Sequence, residues 1–175
     1  LPILECDLSE LDSINLSFIN HEKVVSLVLP SRTKIPFADL SNFNLKELKA
    51  SRALSSDFES LTRHNLEVLE IAGCNLSNLD FCQNFPLRKL NLADTEVSDL
   101  QPLHKTELEE LDLFKTRVNE ISSLNCEKIV NLVLSGTPIK CINPLSLSKK
   151  LRKLEMRGTS VSDLSPLAET EIKEL

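Results

Sequence analysis

Residues 87–103 read LRKLNLADTEVSDLQPL, and residues 151–167 read LRKLEMRGTSVSDLSPL. The pattern also begins again at Leu108, 21 residues after Leu87, with apolar residues or threonine in the corresponding places. A sequence that returns to itself at a short fixed period indicates a repeat architecture, in which each turn of the chain packs on the next. We therefore expect this period to decide the fold.

One repeat can be numbered from 1 to 21, with Leu87 at position 1. Large apolar residues occupy positions 1, 4, 6, 11, 14 and 17 of most repeats, and position 9 is threonine in four of them. The frame predicts repeats that start near residues 1, 24, 45, 66, 87, 108, 129, 151 and 172, and hence a single repeat domain over 1–175. We expect this domain to be a fragment of a longer protein.

The second and third repeats fit the frame loosely. Lys34 stands where an apolar residue is expected, Ile35 comes one place late, and Leu54 comes one place early. Pro30 and Pro36 lie in the same region, and a proline removes a donor from a sheet ladder. The backbone is therefore expected to leave the regular path in these two repeats.

Positions 3 to 7 alternate between polar and apolar residues, which is the period of a strand with one buried face. Consecutive strands are expected to lie parallel, and the rest of each repeat supplies the crossover on the opposite, convex side. The pairs Ser98-Asp99 and Ser162-Asp163 are typical of helix N-caps, and each is followed by a proline. Because little chain is left for the crossover, we expect 3₁₀ turns or extended backbone there and no full helices.

Two positions predict details of the coil. The threonines at position 9 are expected to face inward and to bond the backbone of neighbouring turns, because a buried hydroxyl without a partner costs about 1–3 kcal/mol. All three glycines, Gly73, Gly136 and Gly158, fall at position 8. This confinement predicts a special backbone angle where the chain leaves the strand.

The motif L-x-x-L-x-L-x-x-T-x-V-x-D-L-x-P-L resembles the leucine-rich repeats of the short bacterial internalin type, and similar repeats occur in a regulatory subunit of a serine/threonine phosphatase. The chain departs from the family in carrying threonine at position 9, where asparagine is common. The resemblance implies an α/β fold: a right-handed leucine-rich-repeat solenoid with a parallel concave β-sheet and short 3₁₀ or extended convex segments. It also implies a role in binding protein partners.

The net charge and the cysteine content indicate which classes of partner and which cellular locations are favoured. The chain has 26 acidic and 20 basic residues and a net charge of −6, which argues against a nucleic-acid or anionic membrane surface. No apolar run approaches the roughly 20 residues that span a bilayer, so we expect no membrane insertion. The five cysteines form no C-x-x-C pair and are expected to be mostly buried free thiols, which favours a cytoplasmic location and leaves a secreted or surface location open.

The sequence carries little sign of catalytic chemistry. His21, His64 and His104 fall in three different repeats, so a triad would not assemble, and all three are expected to lie on the surface. We find no phosphate-binding glycine loop and no metal-spaced cluster of histidine and cysteine, and we therefore expect no cofactor, no metal site and no enzymatic activity in this region.

The repeat frame predicts which residues form the concave surface, because positions 3, 5 and 7 point outward from the sheet. Phe114 is the one aromatic among them, so it is either an anchor for a partner with a polar rim around it or a tolerated surface aromatic. The predicted partner-binding residues are Val68, Glu70, Lys89, Asn91, Glu110, Asp112, Phe114, Asn131, Val133, Lys153, Glu155 and Arg157.

These observations lead to a protein–protein recognition module that binds a protein partner on its concave face and is monomeric in solution. Three other roles stay open at this point. The array can be the targeting or regulatory arm of a larger multidomain enzyme such as a protein kinase, a secreted or surface adhesin of the internalin kind, or a structural spacer.

Overall fold

The computed structural model describes residues 4–11 and 14–175. These residues form one open sheet of eight parallel strands, in which each strand pairs with the next one in sequence. The predicted start of the first repeat, at residue 1, lies outside the described residues. The strands are β1 (Leu4–Asp7), β2 (Val24–Val28), β3 (Glu47–Lys49), β4 (Val68–Glu70), β5 (Lys89–Asn91), β6 (Glu110–Asp112), β7 (Asn131–Val133) and β8 (Lys153–Glu155).

From β2 to β8, the position 4 leucine of each strand holds the coils in register. Leu69 lies opposite Leu48 on one side and Leu90 on the other, and the same pairing continues to Leu154. These leucines are buried, and from β3 to β8 the residue on either side of them faces outward and is half-buried or exposed. The first strand differs, because a register shift places Leu4, which is 45% exposed, opposite Val24. Burial of one leucine side chain stabilises the fold by roughly 1.5–3 kcal/mol, so a column of them joins each coil to its neighbours.

The returning segments contain short 3₁₀ helices and extended backbone, as predicted, and the described residues contain no α-helix. The prediction of N-caps at Ser98-Asp99 and Ser162-Asp163 was wrong, because the N-cap residues are Leu100 and Leu164, which make no side-chain cap hydrogen bond. Asp99 and Asp163 lie one place earlier, and each accepts the N–H of the first helical residue at 2.8 Å. The 3₁₀ helices span Leu16–Phe18, Phe37–Leu40, Phe58–Arg63, Asp80–Cys82, Gln101–Leu103, Asn143–Leu147 and Ser165–Leu167.

Position 8 adopts the left-handed conformation predicted from the glycines. Gly73, Gly136 and Gly158 have φ angles of 68°, 75° and 70°. The same position is left-handed where it is not glycine, with φ of 55° at Asp94 and 54° at Lys115. The turn that ends each strand therefore has one geometry, and the residue type at position 8 decides how much conformational energy it costs.

The position 9 threonines face inward, but the prediction for their bonding was wrong. The hydroxyl of Thr95 donates to the Leu92 carbonyl at 2.6 Å, and that of Thr137 donates to the Leu134 carbonyl at 2.6 Å. Each bond therefore lies within the turn of its own coil, because the hydroxyl on a short side chain reaches the carbonyl three residues back. The thiol of Cys74, which replaces threonine in its repeat, bonds the preceding coil at the Ala50 carbonyl instead.

The second repeat leaves the regular path as predicted, and the third does not. In the second repeat the left-handed residue is Arg32, one place later than in the regular coils, and Ile35 is half-buried as a result. The third repeat keeps its turn in the regular place, with Leu54 59% exposed and Ser55 buried in the inward slot. The Ser55 hydroxyl donates a hydrogen bond to the Asp57 carboxylate. This coil therefore keeps the regular repeat frame although position 11 carries no apolar residue.

Three of the thiols and one histidine occupy the interior. All five cysteines are free; Cys74, Cys82 and Cys126 are buried, Cys6 is half-buried and Cys141 is exposed. Burial raises the pKa of Cys82 to about 12, so this thiol is inert near neutral pH. The prediction of a surface position was wrong for His64, which is 5% exposed because it takes the buried slot that holds phenylalanine in the adjacent repeats, at Phe43 and Phe85.

Candidate interaction face of the sheet

The outward-facing residues of adjacent strands come together as columns along the sheet. Because the strands pair in register, position 3 and position 5 of one coil lie directly opposite the same positions of the next. The columns are made of half-buried and exposed side chains, since the buried leucines project from the other side. The part of this surface from β4 to β7 is called the concave face below.

A shallow depression of 230 Å³ lies at the centre of the concave face. It brings together seven of the twelve residues predicted to bind a partner, and the backbone of two buried leucines lies between them. Its lining residues are Glu70, Lys89, Leu90, Asn91, Glu110, Leu111, Asp112, Asn131 and Val133.

The five other predicted residues lie outside this depression. Val68 is half-buried on the position 3 column at the start of β4, and Phe114 is half-buried on the position 7 column just after β6. Lys153, Glu155 and Arg157 line a second hollow beside β8, of 450 Å³, together with Glu174 and Leu175. Seven and three of the predicted residues therefore line two hollows, on strands that continue in register from β7 to β8.

Cross-coil ion pairs organise the charges of the central depression. The Lys89 ammonium lies 2.7 Å from the Glu110 carboxylate, directly across from it on the position 3 column. These two side chains are 47% and 41% exposed, so water screens the pair, and it contributes at most about 1 kcal/mol to stability. The ion pair fixes the direction of both side chains along one wall of the depression.

Two side chains on the position 5 column hold the turn that follows the strand. The Asn91 side-chain oxygen accepts the Ala93 N–H at 2.9 Å, and one Asp112 carboxylate oxygen accepts the Phe114 N–H at the same distance. Asn91 and Asp112 therefore have the same structural role in adjacent coils. Their difference in charge is not needed for the turn.

The environment of Asp112 opposes its ionisation. Burial raises the pKa of this carboxyl, the hydrogen bond from the Phe114 N–H acts in the opposite sense, and the nearby carboxylates of Glu155 and Asp94 raise the pKa further. A half-buried carboxylate whose charged neighbours are also acidic creates a negative potential at the surface.

Phe114 is less available than its column position predicts. Its ring is half-buried, and the Lys115 ammonium lies 4.9 Å from the ring centroid, in the geometry of a cation–π contact. Sequence reasoning missed this contact because Lys115 is at position 8, where the left-handed turn brings its side chain back beside the preceding residue. The aromatic ring is thus partly covered by the chain's own cation.

A metal site and a membrane-spanning helix are both absent from the described ranges 4–11 and 14–175. No group of three or more histidine, cysteine, aspartate or glutamate side chains there is arranged to hold a metal ion. No helix in the same part of the chain has the length and apolar character needed to cross a membrane.

Comparison with known proteins gives the fold. No protein-family model matches the sequence, and no curated protein sequence matches it. Solved structures that superpose on it include an internalin, InlF, from Listeria monocytogenes, with a TM-score of 0.75 and 21% identity over 87% of this chain and 47% of that one. The chain has the leucine-rich-repeat fold and spans about half the length of this internalin.

Two further structures extend the comparison. Internalin C2 of Listeria monocytogenes superposes with a TM-score of 0.70 and 20% identity, over 88% of this chain and 72% of that one. The leucine-rich-repeat ectodomain of the Arabidopsis thaliana membrane receptor kinase GASSHO1/SCHENGEN3, solved in complex with CASPARIAN STRIP INTEGRITY FACTOR 2, superposes with a TM-score of 0.68 and 19% identity, over 87% and 21% of the two chains. At these identities the likeness concerns the fold.

Proposed function

We propose that this chain is a protein-recognition module that binds a protein partner on its concave face, and that this region acts by binding and not by catalysis. The observation that carries the proposal is the central depression, where polar and charged side chains of four adjacent strands stand around the backbone of Leu90 and Leu111. Val133 adds an apolar side chain among them, and such a mixture of polar and apolar groups is usual in a protein interface.

The rigidity of the face supports the same role. The side chains stand on strands whose central leucines are fixed in the core, and several of them are also held by ion pairs or turn hydrogen bonds. A surface that is already ordered loses little entropy when a partner binds. A solenoid also presents such a surface over many residues.

The known relatives by fold support the proposal without deciding the partner. The receptor kinase ectodomain described above was solved in complex with CASPARIAN STRIP INTEGRITY FACTOR 2, which is a property of that chain. The roles of enzyme arm and surface adhesin stay predictions, and each of them would use a binding face of the same kind.

A pair of matched substitutions tests the proposal. Asn131→Trp places a large ring in the depression, and Asn119→Trp places the same ring at an exposed position between β6 and β7 that does not line it. Immobilised wild-type chain and both variants are incubated with an extract of the source cells, and retained proteins are quantified by mass spectrometry. We expect a protein that the wild type and Asn119→Trp retain and Asn131→Trp loses.

The interpretation requires that both variants fold like the wild type, which circular dichroism and urea unfolding establish beforehand. A retained protein is then titrated directly against the three chains in purified form. Equal affinity for Asn131→Trp and the wild type would contradict binding at the depression.

A further inference from the structure

The lysines at positions 3 and 5 of the sheet pair with glutamates at the same two positions, whereas Arg157, at position 7, forms no ion pair within residues 4–11 and 14–175. Each of the three lysines at positions 3 and 5 lies within ion-pair distance of one or two glutamates. These pairs are Lys49 with Glu47 at 3.1 Å and with Glu70 at 3.8 Å, Lys89 with Glu110 at 2.7 Å, and Lys153 with Glu155 at 3.0 Å and with Glu174 at 3.5 Å.

Asp112 is the exception among the acidic residues of the depression. Within residues 4–11 and 14–175, no basic side chain forms an ion pair with it. Its neighbours on the position 5 column are Asn91 and Val133, which carry no charge.

The nearest candidate cations are directed elsewhere or are distant. The Lys115 ammonium lies over the Phe114 ring. Arg157 follows β8, two strands from β6, which corresponds to roughly 10 Å along the sheet. The chain thus leaves a half-buried carboxylate without a cation at the centre of its concave face.

We propose that the depression binds an arginine side chain of the protein partner, with the Asp112 carboxylate as its counter-ion. The proposal rests on the proposed function and specifies the chemistry that the concave face recognises. It also accounts for the charge at position 112, which the turn itself does not require, because Asn91 makes the same turn hydrogen bond without a charge.

The local geometry suits a guanidinium group. One Asp112 oxygen accepts the Phe114 N–H at 2.9 Å, which is the one hydrogen bond of this carboxylate within the described part of the chain. The Asn131 side-chain amide lies across the depression as a second polar group, and Val133 offers an apolar wall for the aliphatic stem. A planar fork of donors with an apolar stem matches this combination better than a single ammonium group.

The test uses a defined probe on the intact chain. The blocked tripeptide acetyl-Gly-Arg-Gly-amide is titrated into ¹⁵N-labelled protein to about 20 mM, well above a millimolar dissociation constant. The same peptide with citrulline in place of arginine has nearly the same shape without the charge. Asp112→Asn removes the charge of the site and preserves the turn, and Glu127→Gln removes a carboxylate from the exposed loop before β7.

We expect saturable shifts of the Asn131 side-chain amide and the Phe114 backbone amide with the arginine peptide. The citrulline peptide and Asp112→Asn should each weaken binding by about tenfold or more, as expected for loss of a charge-assisted hydrogen bond, and Glu127→Gln should leave it unchanged. Equal binding by Asp112→Asn, equal binding of the citrulline peptide, or no saturable shift would each overturn the assignment.

The two proposals fail in different ways. If Asn131→Trp loses a partner that Asp112→Asn still binds with wild-type affinity, recognition at the concave face stands and the arginine assignment is wrong. If neither substitution changes retention of any protein, recognition at this face is itself wrong.

Discussion

Replacing Asp94 by glycine should make the protein more stable, because Asp94 occupies the left-handed turn position with φ of 55°. For an ordinary residue this conformation costs about 1–2 kcal/mol, and aspartate tolerates it better than most residues do. Glycine avoids that cost but loses roughly 0.5–1 kcal/mol of additional chain entropy on folding. The Asp94 N–H, which donates to the Phe114 carbonyl at 2.8 Å, is retained. The net expectation is a gain of about 0.5 kcal/mol.

Urea unfolding followed by far-ultraviolet circular dichroism measures this change. With a slope of about 2 kcal/mol/M, the midpoint should rise by about 0.2–0.3 M. Asp94→Asn is the control, since it removes the charge near Asp112 and keeps the side chain on the left-handed residue. An Asp94→Gly midpoint equal to or below that of Asp94→Asn would refute the conformational argument.

The opposite substitution should lower stability at a position that has room for a methyl group. A Cβ built on Gly158 would have its nearest neighbour, the Gly136 nitrogen, at 3.9 Å, so Gly158→Ala introduces no clash. A Cβ on Gly73 would approach the Arg52 Cγ to 2.8 Å. We expect Gly158→Ala to cost about 1 kcal/mol from the backbone alone and Gly73→Ala to cost more, in the same unfolding assay.

Three further substitutions test the interior by urea unfolding. Thr137→Val should lose about 0.5–1.5 kcal/mol because the Leu134 carbonyl loses the hydroxyl donor and keeps only the Thr137 N–H at 3.2 Å. Thr137→Ser retains the hydroxyl, and a fully stable valine variant would show that this bond contributes nothing. Leu111→Ala should lower the free energy of unfolding by about 2–5 kcal/mol, because Leu111 is buried. Leu54 is exposed, so Leu54→Ala should lower it by about 0.5 kcal/mol or less. Similar losses at both sites would contradict the assignment of buried and exposed positions. Burial lowers the pKa of His64, so the unfolded chain binds the proton more tightly, and stability should fall as the pH drops below about 6.5. His64→Phe should remove that dependence, and an unchanged pH profile would contradict the assignment.

The main features of the fold follow from the period of the sequence. The alternation around Leu90 predicts a strand with one buried face, and its return at Leu111 and Leu132 predicts parallel strands in register. The short crossover predicts 3₁₀ turns because too few residues are left for a helix. The single slot shared by the glycines predicts the left-handed turn, which Asp94 and Lys115 also adopt.

The details that could not be predicted depend on distances within a few ångströms. The Thr95 hydroxyl bonds the carbonyl of its own coil at 2.6 Å, whereas the Cys74 thiol, in a turn of the same kind, bonds the preceding coil at 3.3 Å. His64 was placed on the surface because histidine is usually exposed, although its slot is filled by Phe43 and Phe85 in the neighbouring repeats. A column-by-column comparison of the slots would have indicated burial.

The pairing of charges on the concave face also follows from the repeat. In a parallel sheet in register, the neighbours of a column residue are the residues one repeat before and after it. Lys89 therefore meets Glu110, which is 2.7 Å away, while Asp112 meets only Asn91 and Val133. The unpaired charge can thus be identified from the repeat frame alone. The depression itself cannot be identified from the repeat frame. Its shape depends on the rotamers of the side chains around Asp112 and on the ion pairs and hydrogen bonds that orient them.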